Sequence, residues 1–600
     1  MDTRTSPYRL RIERVRDAMQ RHGLAAVLVP SSDPHLSEYL PPRWQGRQWL
    51  SGFSGSVATL VITLDAAALF ADSRYWVQAE AELAGSGIEL QRVATAASPQ
   101  HLEWLLAHVP PEGVVAVDGA VLALGAAQTL RARLDAAGAR LRTDLDVLDE
   151  VWTERPALPD AAVFEHLAPH ATQRRADKLA AVRSEMARAG ASHHVVSTLD
   201  DIAWLLNLRG SDVSYNPVFL AHLLIGTSSA VLYVGRDKIG GELLQRLRGD
   251  GVTVAAYGHA GEALAELPAD AVLLVDPKRI TLGLRENATV PVVEAINPST
   301  LLKSRKSADE AAHLREAMAH DGAALCEFYA WFEAALADAR TAVTELTIDE
   351  QLQVARARRP GFVGPSFATI AAFNANGAMP HYRATPLAHA AIEGEGLLLI
   401  DSGAHYLGGT TDITRVWAIG NASTAQRRDC TRVLKGLIAL SRTRFPLGTP
   451  APMLDAIARA PLWEHGLDYG HGTGHGVGYF LNVHEGPQSI SKATPEPTMA
   501  MLPGMVTSIE PGVYRPGQWG VRIENLVINA THETEQAFGE FLAFETLTLC
   551  PIDTKCLERD LLRPDEVEWL NAYHATVRSR LSPLLSGPAL AWLLLRTAPL

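Results

Sequence analysis

Two aspartates lie in a segment whose sequence predicts a β-hairpin. The run GLLLIDSGAHYLGGTTDITRVWAIG is rich in apolar and β-branched residues on both sides of Gly408 and Gly409, which favour a tight turn. If the strands pair symmetrically about this turn, Asp401 and Asp412 face each other with Cβ atoms roughly 5 Å apart. Two like charges in an apolar sheet are destabilising unless a cation lies between them. A divalent metal ion is the simplest such cation; acids exposed at a strand edge are the alternative for this hairpin taken alone.

Three histidines follow in the sequence HGTGHGVGYFLNVHEGP, residues 471–487. Alternating glycines lower the helix propensity of its first half and let backbone and ligand approach closely. If the run is extended, His471 and His475 point in similar directions, and His484 lies close by in the sequence. Histidine is a common metal ligand and titrates near neutral pH. One such histidine is usually a core residue, whereas three together favour a metal or acid–base site.

Two glutamates complete this group of residues. In VTSIEPGVY, Glu510 ends an apolar strand and precedes Pro511, which favours an extended backbone before it. In GVRIENLVI, Arg522 and Glu524 share one face of an alternating strand. A carboxylate in the middle of such a strand needs a partner, and Arg522 is the alternative to a metal ion.

Four carboxylates and one imidazole in one region form a set of hard donors. Such a set suits Mn, Fe, Co or Zn rather than a structural thiolate zinc site. Five protein ligands exceed what one catalytic ion uses, so we predict two divalent ions bridged by shared carboxylates. Ion pairs without any metal remain the alternative at this point. The predicted ligands are Asp401, Asp412, His475, Glu510 and Glu524.

An internal repeat near the start of the chain indicates part of the framework around this site. VRDAMQRHGLAAVLVPSSD (residues 15–33) and VRSEMARAGASHHVVSTLD (residues 182–200) match at several Val, Arg, Met, Gly and Asp positions. In each copy an amphipathic helix ends at a glycine, Gly23 or Gly190, and a β-branched run follows. Each helix needs a sheet against which to bury its apolar face, so two related α/β domains are predicted. Chance similarity is the alternative.

The remaining sequence predicts how the chain is divided. Apolar residues at three- and four-residue spacing predict a long helix over residues 308–337, strands and tight turns dominate from residue 397, and PDEVEWLNAYHATVRSRLSPLL predicts a helix near the end. Residues 156–170, with three prolines, and residues 297–307 are the candidate linkers. The predicted domains are an N-terminal α/β domain at 1–156, a second, related α/β domain at 157–303, the domain with the site at 304–545 and a C-terminal extension at 546–600.

The composition excludes some classes of function. The chain has 67 acidic and 54 basic residues, a formal charge of −13, which argues against nucleic-acid and anionic-membrane partners. The first residues lack the apolar core of a secretory signal, and no lipidation motif is present. The uncharged stretch 213–235 contains Asn216 and Pro217 and predicts two buried strands rather than a spanning helix. We therefore expect a cytoplasmic protein.

The cysteines show neither CxxC pairing nor ligand spacing, so free buried thiols are expected, which fits a reducing compartment. They are Cys326, Cys430, Cys550 and Cys556.

The motifs that contain these candidate residues resemble a known family. The blocks DSG…TTDITR, HGTGHGVG, EPGVY and VRIEN resemble the M24 "pita-bread" metallopeptidases and, within them, the aminopeptidase P family, particularly its long three-domain cytosolic type. DDIAWLLNLRGSDVSYNPVF resembles that family's second domain, and FETLTLCPIDTKCL and WLNAYH resemble its C-terminal extension, so the likeness covers essentially the whole chain. It implies α/β and α+β architecture: two tandem creatinase-N-like α/β domains, then a pita-bread catalytic domain with a C-terminal helical extension.

The resemblance also implies a role for each matched ligand. Asp401 would hold one metal ion, Asp412 and Glu524 would bridge both ions, and His475 and Glu510 would complete the second site. The expected ions are two Mn²⁺, with Zn²⁺ and Co²⁺ as alternatives.

Other matched residues would face the substrate. His381, in GAMPHYRATP, matches the family's substrate-side histidine. His471 and His484 match residues that bind or polarise the substrate, and Arg522 matches an arginine that supports the site. Together with Glu510, these form the predicted catalytic set.

The activity that the resemblance implies is hydrolysis of the bond between an N-terminal residue and a following proline. The attacking group would be a hydroxide bridging the two metal ions, with Glu510 as the proton shuttle. Substrates would be peptides with proline at the second position. A prolidase, which cleaves only dipeptides, and a non-catalytic binding protein of the same fold remain alternatives. The C-terminal extension suggests a homodimer, or else a helix that packs on its own domain.

Overall fold

The computed structural model describes residues 6–95, 98–338 and 340–600. The chain divides into two compact units. The first comprises the described residues of Met1–Leu167 and Gln173–Thr300, and the second comprises those of Ala168–Thr172 and Leu301–Leu600.

The first unit begins with a mixed sheet in which the strand order is β4-β3-β2-β1-β5-β6. The pairs β1–β2 and β2–β3 are antiparallel, and β3–β4, β1–β5 and β5–β6 are parallel. The strands are β1 (Ala26–Pro30), β2 (Thr59–Thr63), β3 (Ala67–Ala71), β4 (Glu89–Arg92), β5 (Val114–Ala116) and β6 (Arg140–Arg142), and the helices are α1 (Pro7–His22), α2 (Gly46–Ser51), α3 (Trp76–Glu82), α4 (Gln100–His108), α5 (Leu124–Ala136) and α6 (Val147–Val151).

A second sheet in the same unit has the order β12-β11-β10-β8-β13-β14, and a short β7–β9 pair lies apart from it. The strands are β7 (Phe164–Glu165), β8 (His193–Val196), β9 (Leu208–Arg209), β10 (Ala221–Gly226), β11 (Ala230–Val234), β12 (Val252–Ala256), β13 (Leu273–Val275) and β14 (Val292–Glu294). The helices are α7 (Arg175–Arg188), α8 (Leu199–Leu206), α9 (Gly241–Gly249), α10 (Ala260–Ala265), α11 (Leu282–Arg285) and α12 (Pro298–Ser304), of which the residues from Leu301 onward belong to the second unit.

The two sheets confirm the repeat that the sequence predicts. The antiparallel pairs β8–β10 and β10–β11 and the parallel pairs β11–β12, β8–β13 and β13–β14 reproduce the pairing of the first sheet strand by strand. Gly23 after α1 and Gly190 after α7 both adopt positive φ, 63° and 74°, which glycine adopts without steric cost. Residues 213–235 contain the buried antiparallel pair β10–β11, as predicted. None of the helices in the described residues is both long and apolar enough to cross a membrane.

The second unit opens with a long helix whose bounds match the prediction. It is α13 (Ala308–Ala337), and Ser307 and Glu310 form a reciprocal capping box at its start. The other helices are α14 (Glu345–Ala357), α15 (Thr424–Ser441), α16 (Asp455–Trp463), α17 (Pro564–Leu581) and α18 (Gly587–Arg596). Buried side chains of α17 and α18, among them Leu570 and Leu593, share one apolar core with α13. All four cysteines are buried and free, as expected.

The strands of this unit form several small sheets, with the orders β15-β18-β19, β16-β17-β20, β21-β28-β27-β24-β22-β23 and β25-β26. They are β15 (Phe362–Pro365), β16 (Ile370–Phe373), β17 (Gly396–Ser402), β18 (Ala404–Tyr406), β19 (Gly409–Thr410), β20 (Ile413–Ile419), β21 (Arg444–Pro446), β22 (Gly474–Gly476), β23 (Glu485–Ile490), β24 (Val506–Ile509), β25 (Gly512–Arg515), β26 (Trp519–Arg522), β27 (Asn525–His532) and β28 (Phe541–Thr546).

The predicted register of the aspartate hairpin is wrong. Asp401 pairs with Thr414, and Asp412 lies just before β20 rather than opposite Asp401. The hairpin is divided between two sheets, because β17 and β20 pair with each other beside β16 while β18 and β19 join β15. The break is at Gly403, where a Cβ atom would lie 2.1 Å from the Thr411 carbonyl oxygen, so only glycine fits there.

The prediction that Arg522 and Glu524 share one strand face is also wrong. β26 ends at Arg522 and β27 begins at Asn525, and these strands belong to different sheets. Glu524 therefore lies in the short junction between sheets, where its backbone N–H donates to the carbonyl of Thr414 at 3.1 Å. The alternation of the apolar residues Val521 and Ile523 continues through this junction, so the sequence pattern does not indicate that one strand ends and another begins there.

Candidate metal centre

Three of the predicted ligands converge from separate elements of the second unit. Asp412 precedes β20, His475 lies on β22, and Glu524 lies between β26 and β27. Each offers one ligand atom, and these atoms lie within 4.8 Å of one another. Such a group of two carboxylates and one imidazole is chemically suited to a divalent cation.

The other two predicted ligands lie on neighbouring strand ends. Glu510 follows β24, and its Oε1 lies 3.4 Å from Nε2 of His475, which is also 3.5 Å from Oδ2 of Asp412. Asp401 lies near the end of β17, and its Oδ1 atom is buried without a hydrogen-bond partner. An unpaired buried carboxylate oxygen is costly unless a donor or a cation meets it.

The tautomer of His475 favours metal coordination. Its Nδ1 lies 2.9 Å from the carbonyl oxygen of Gly476, which can only accept, so Nδ1 carries the proton. In the neutral ring that would bind a metal ion, the lone pair of Nε2 is then directed towards Asp412 and Glu510. Metal-binding histidines are commonly oriented by such a hydrogen bond from the opposite ring nitrogen.

The acidic residues raise one another's pKa values. Burial, opposed by Arg522 and assisted by Asp412, raises the pKa of Asp401 to about 6. Burial also raises the pKa of Glu510 to about 7 and, with the charges of neighbouring carboxylates, raises that of Glu524 well above its usual value. So many buried carboxylates cannot all be ionised without positive charge among them. The donor set therefore fits a pair of divalent cations.

His475 shows the reverse balance of effects. Burial alone would lower its pKa, but the adjacent Asp412 and Glu510 carboxylates outweigh burial and raise the pKa to about 9. The imidazole thus lies in a strongly negative environment, which would also attract a cation.

Arg522 stabilises the acidic side chains without pairing with Glu524. Its Nη2 donates to Oδ2 of Asp401, and its Nε donates to Oγ1 of Thr414 at 3.1 Å. Thr414 in turn donates to Oε2 of Glu524 at 2.7 Å. The hydroxyl of Thr414, whose role the sequence did not suggest, therefore links the arginine to the glutamate.

A second arginine holds the backbone at the same place. Arg415 is fully buried, and its Nη1 donates to the carbonyl oxygens of Glu524 at 2.6 Å and Thr414 at 2.9 Å. Its Nη2 donates to the carbonyl of Cys550 at 2.9 Å and to the hydroxyl of Tyr573 on α17 at 2.8 Å. The C-terminal segment thus supplies acceptors for an arginine that fixes the Glu524 backbone.

His471 lies on the other side of Glu510. Its Nδ1 is 4.0 Å from Oε2 of Glu510 and 2.7 Å from the Gly472 carbonyl, to which it donates. Its Nε2 therefore accepts from the hydroxyl of Tyr514 at 2.8 Å, and that hydroxyl accepts from Nη1 of Arg522 at 2.7 Å. Tyr514 was missed by sequence reasoning, although the EPGVY motif contains it. Both ring nitrogens of His471 are engaged, so substrate binding through either one requires a change of partner.

His484 is adjacent to the metal-side histidine. Its ring centroid is 4.3 Å from that of His475, and the two rings are nearly perpendicular at 85°. The next residue, Glu485, is buried and pairs with two buried lysines: Lys303 at 3.2 Å and Lys306, the closer of the two. This cluster, which the sequence did not predict, fixes the chain immediately after His484.

His381 lies in a separate loop between β16 and β17. A short helix, Asn374–Ala378, precedes it and packs closely on β26, since a Cβ atom on Gly520 would lie 1.6 Å from the Gly377 carbonyl oxygen. The His381 side chain is half-buried. The loop thus lies against the strand that ends at Arg522.

Family models match nearly the whole chain. Residues 312–529 match metallopeptidase family M24, residues 540–600 match the C-terminal region of peptidase M24, and residues 11–150 and 154–310 each match a creatinase/prolidase N-terminal domain. These matches confirm the predicted fold, including the two related N-terminal domains.

Individual relatives extend over the full chain. A probable Xaa-Pro aminopeptidase P of Aspergillus fumigatus is 37% identical over 98% of this chain and 92% of its own length. Aminopeptidase P2 of Arabidopsis thaliana is 37% identical over 96% of this chain and 86% of its own length. The crystal structure of X-prolyl aminopeptidase from Caenorhabditis elegans, described as a cytosolic enzyme with a di-nuclear active site, superposes with a TM-score of 0.93 at 30% identity, covering 99% of this chain and 100% of that one. The chain therefore belongs to the aminopeptidase P family of M24 metallopeptidases.

Proposed function

We propose that this protein is an Xaa-Pro aminopeptidase, a metal-dependent enzyme that hydrolyses the bond between an N-terminal residue and a following proline. The observation that carries this proposal is the convergence of Asp412, His475 and Glu524 within 4.8 Å in a chain related over its full length to Xaa-Pro aminopeptidases. Family membership alone, without the convergent ligands, would not exclude a non-catalytic protein of the same fold.

Five residues would hold two divalent ions. Asp401 would hold one ion, His475 and Glu510 would hold the other, and Asp412 and Glu524 would contribute to both. The assignment is supported by the unpaired Oδ1 of Asp401 and by the orientation of the His475 Nε2 lone pair. Mn²⁺ is the proposed ion, and Zn²⁺ or Co²⁺ would suit the same carboxylate and imidazole donors.

When bound, the ions supply positive charge that acidifies a water molecule and polarises the scissile carbonyl. Glu510 lies between the two groups of histidines, with Oε1 facing His475 and Oε2 facing His471. In this position its carboxylate can take a proton from the attacking water and deliver it to the leaving proline nitrogen. That nitrogen leaves as a secondary amine, so protonation at this point is essential.

The remaining predicted residues act on the substrate or on the ligands. His381, His471 and His484 bind the peptide near the scissile bond and stabilise negative charge on its carbonyl oxygen. Arg522 holds Asp401 in place through a charged hydrogen bond and opposes the rise in the pKa of that carboxyl group that burial causes.

A cytoplasmic location and a homodimer complete the proposal. The C. elegans relative is described as cytosolic, which supports the first. For the second, Leu594 and Leu595 at the end of α18 are exposed, although its Trp592 and Leu593 are buried within their own unit. The oligomeric state can be measured directly by light scattering.

The test is a set of peptides assayed with added Mn²⁺: Xaa-Pro-Pro, Xaa-Ala-Pro and Xaa-Pro. The proposal expects release of the first residue from Xaa-Pro-Pro and no cleavage of Xaa-Ala-Pro. Cleavage of the dipeptide alone would identify a prolidase. Metal analysis of protein purified without chelator should give two ions per chain. A protein that contains no metal and cleaves none of these peptides would be a binding protein.

A further inference from the structure

Glu345, the first residue of α14, is a fully buried carboxylate with an unusual set of partners. Its Oε1 accepts from the backbone N–H of Phe373 at 2.8 Å and from Nδ2 of Asn376 at 2.9 Å. Its Oε2 accepts from the hydroxyl of Tyr382 at 2.8 Å and from the backbone N–H of Ala390 at 2.7 Å. Within the described part of the chain, neutral donors rather than an ion pair meet this carboxylate.

These donors are spread over one loop. Phe373 ends β16, Asn376 lies in the short helix after it, Tyr382 lies in the middle of the loop, and Ala390 lies near its far end. A single buried carboxylate therefore fixes the loop at both ends and in its centre. Hydrogen bonds to an ionised acceptor are stronger than those between neutral groups, so this anchor is a strong one.

The loop carries His381 directly beside one of these donors. The backbone N–H of Tyr382 donates to the Met379 carbonyl at 3.0 Å, which closes a turn around His381. Burial and the adjacent Glu345 raise the pKa of Tyr382, so its hydroxyl keeps the proton that it donates. The position of His381 thus depends on how firmly Tyr382 is held.

We propose that Glu345 is a positioning residue of the active site, which acts by fixing the His381 loop for substrate binding. The inference rests on the proposed function, because it takes His381 as a substrate-side residue. Among the described residues, the hydrogen-bond partners of the Glu345 carboxylate include none of the proposed ligands, and the peptide would contact His381 rather than Glu345. Its loss is therefore expected to impair turnover while leaving the metal ions in place.

The test is Glu345→Gln, which keeps the shape of the side chain and removes its charge. We expect kcat/KM for Xaa-Pro-Pro to fall about ten- to hundredfold, since hydrogen bonds to a charged acceptor are weakened or lost. Metal content should match that of the unaltered protein. In a His381→Ala background the same substitution should add less than about twofold, because residues that act through one another are not additive.

Tyr382→Phe is a milder second variant, which removes only the central donor and is expected to cost roughly three- to tenfold. Glu395→Gln is the matched control, since Glu395 is exposed and its side chain bonds Asn421 near the same loop. Hydrogen exchange over residues 374–390 should increase in Glu345→Gln and not in Glu395→Gln.

The exchange measurement does not depend on activity. If the protein cleaves no Xaa-Pro peptide, the proposed function fails while exchange still reports on the anchor. Unchanged exchange, unchanged kcat/KM, loss of metal, or losses that multiply with His381→Ala would each overturn the inference.

Discussion

The proposed ligands and the proposed substrate-side residues are held in different ways. Asp401 lies on β17 and Glu524 lies between β26 and β27. Both are held by the hydrogen bonds of Arg522, Arg415 and Thr414, which overlap with one another. His381 and His484 lie in or beside loops, each next to a segment held by one buried glutamate, Glu345 or Glu485. The metal side is thus redundantly supported, whereas the segments beside His381 and His484 each depend on a single buried glutamate. Substitutions of the residues that support the ligands and of those that support the substrate-side loops should therefore have different effects on metal content, activity and stability.

The largest effect is expected where a ligand itself is changed. Asp412→Asn removes a proposed bridging carboxylate, so activity should fall about a thousandfold or more and metal content should drop below two ions per chain. The measurements are kcat/KM on Xaa-Pro-Pro and elemental analysis. Asp565→Asn, at an exposed ion pair, is the control. Retention of both metal and full activity would contradict the bridging role.

Removal of the metal ions should affect the metal side alone. Dialysis against a chelator is expected to abolish activity and lower the melting temperature, because ions that bind only the folded state at about a hundred times their Kd contribute about 2.7 kcal/mol each. Addition of Mn²⁺ should restore both. Hydrogen exchange of residues 374–390 should change little. A large change there would show that the His381 loop is not anchored independently of the metal ligands.

Glu485→Gln tests the anchor beside His484. Lys303 and Lys306 would keep their charges in a buried site without a carboxylate, which is expected to cost about 3–5 kcal/mol of stability. Lys306→Met leaves the Lys303 pair intact and should cost less. Denaturant midpoints of the two variants give the comparison. An equal or smaller shift for Glu485→Gln would show that the cluster is not a charge-compensating anchor.

The smallest effect is expected on the redundantly supported side. Tyr573→Phe removes one of several acceptors of Arg415, so stability should fall by about 1 kcal/mol and metal content should be unchanged. A loss of metal from this single change would mean that the ligand side is as weakly anchored as the loops.

Much of this framework was readable from the sequence because its signals are local. The periodicity of apolar residues predicted the helix over residues 308–337, and the glycine-ended helices revealed the repeated domains. The break at Gly403 was not predictable, since it depends on the Thr411 carbonyl that approaches it.

The partners of the proposed site residues were also not predictable from local sequence signals. The proposed site residues lie in recognisable motifs, whereas the supports of the substrate-side residues come from distant segments. Glu345 holds the loop that contains His381, and Lys303 and Lys306 pair with Glu485. Likewise, Arg522 was the alternative to a metal ion as the partner of its neighbour Glu524, but it pairs with Asp401. Sequence spacing identifies side chains that share a motif, but long-range packing selects their partners.

The hydrogen bonds of Arg415 also bear on the order in which the protein becomes complete during synthesis. A nascent chain that has been translated as far as β27 contains all the proposed ligands, yet it lacks Cys550 and Tyr573, on which Arg415 depends. Until those residues leave the ribosome, the arginine that holds the Glu524 backbone has no full set of acceptors. The hydrogen bonds that hold the Glu524 backbone are therefore expected to be complete only after α17 has been synthesised.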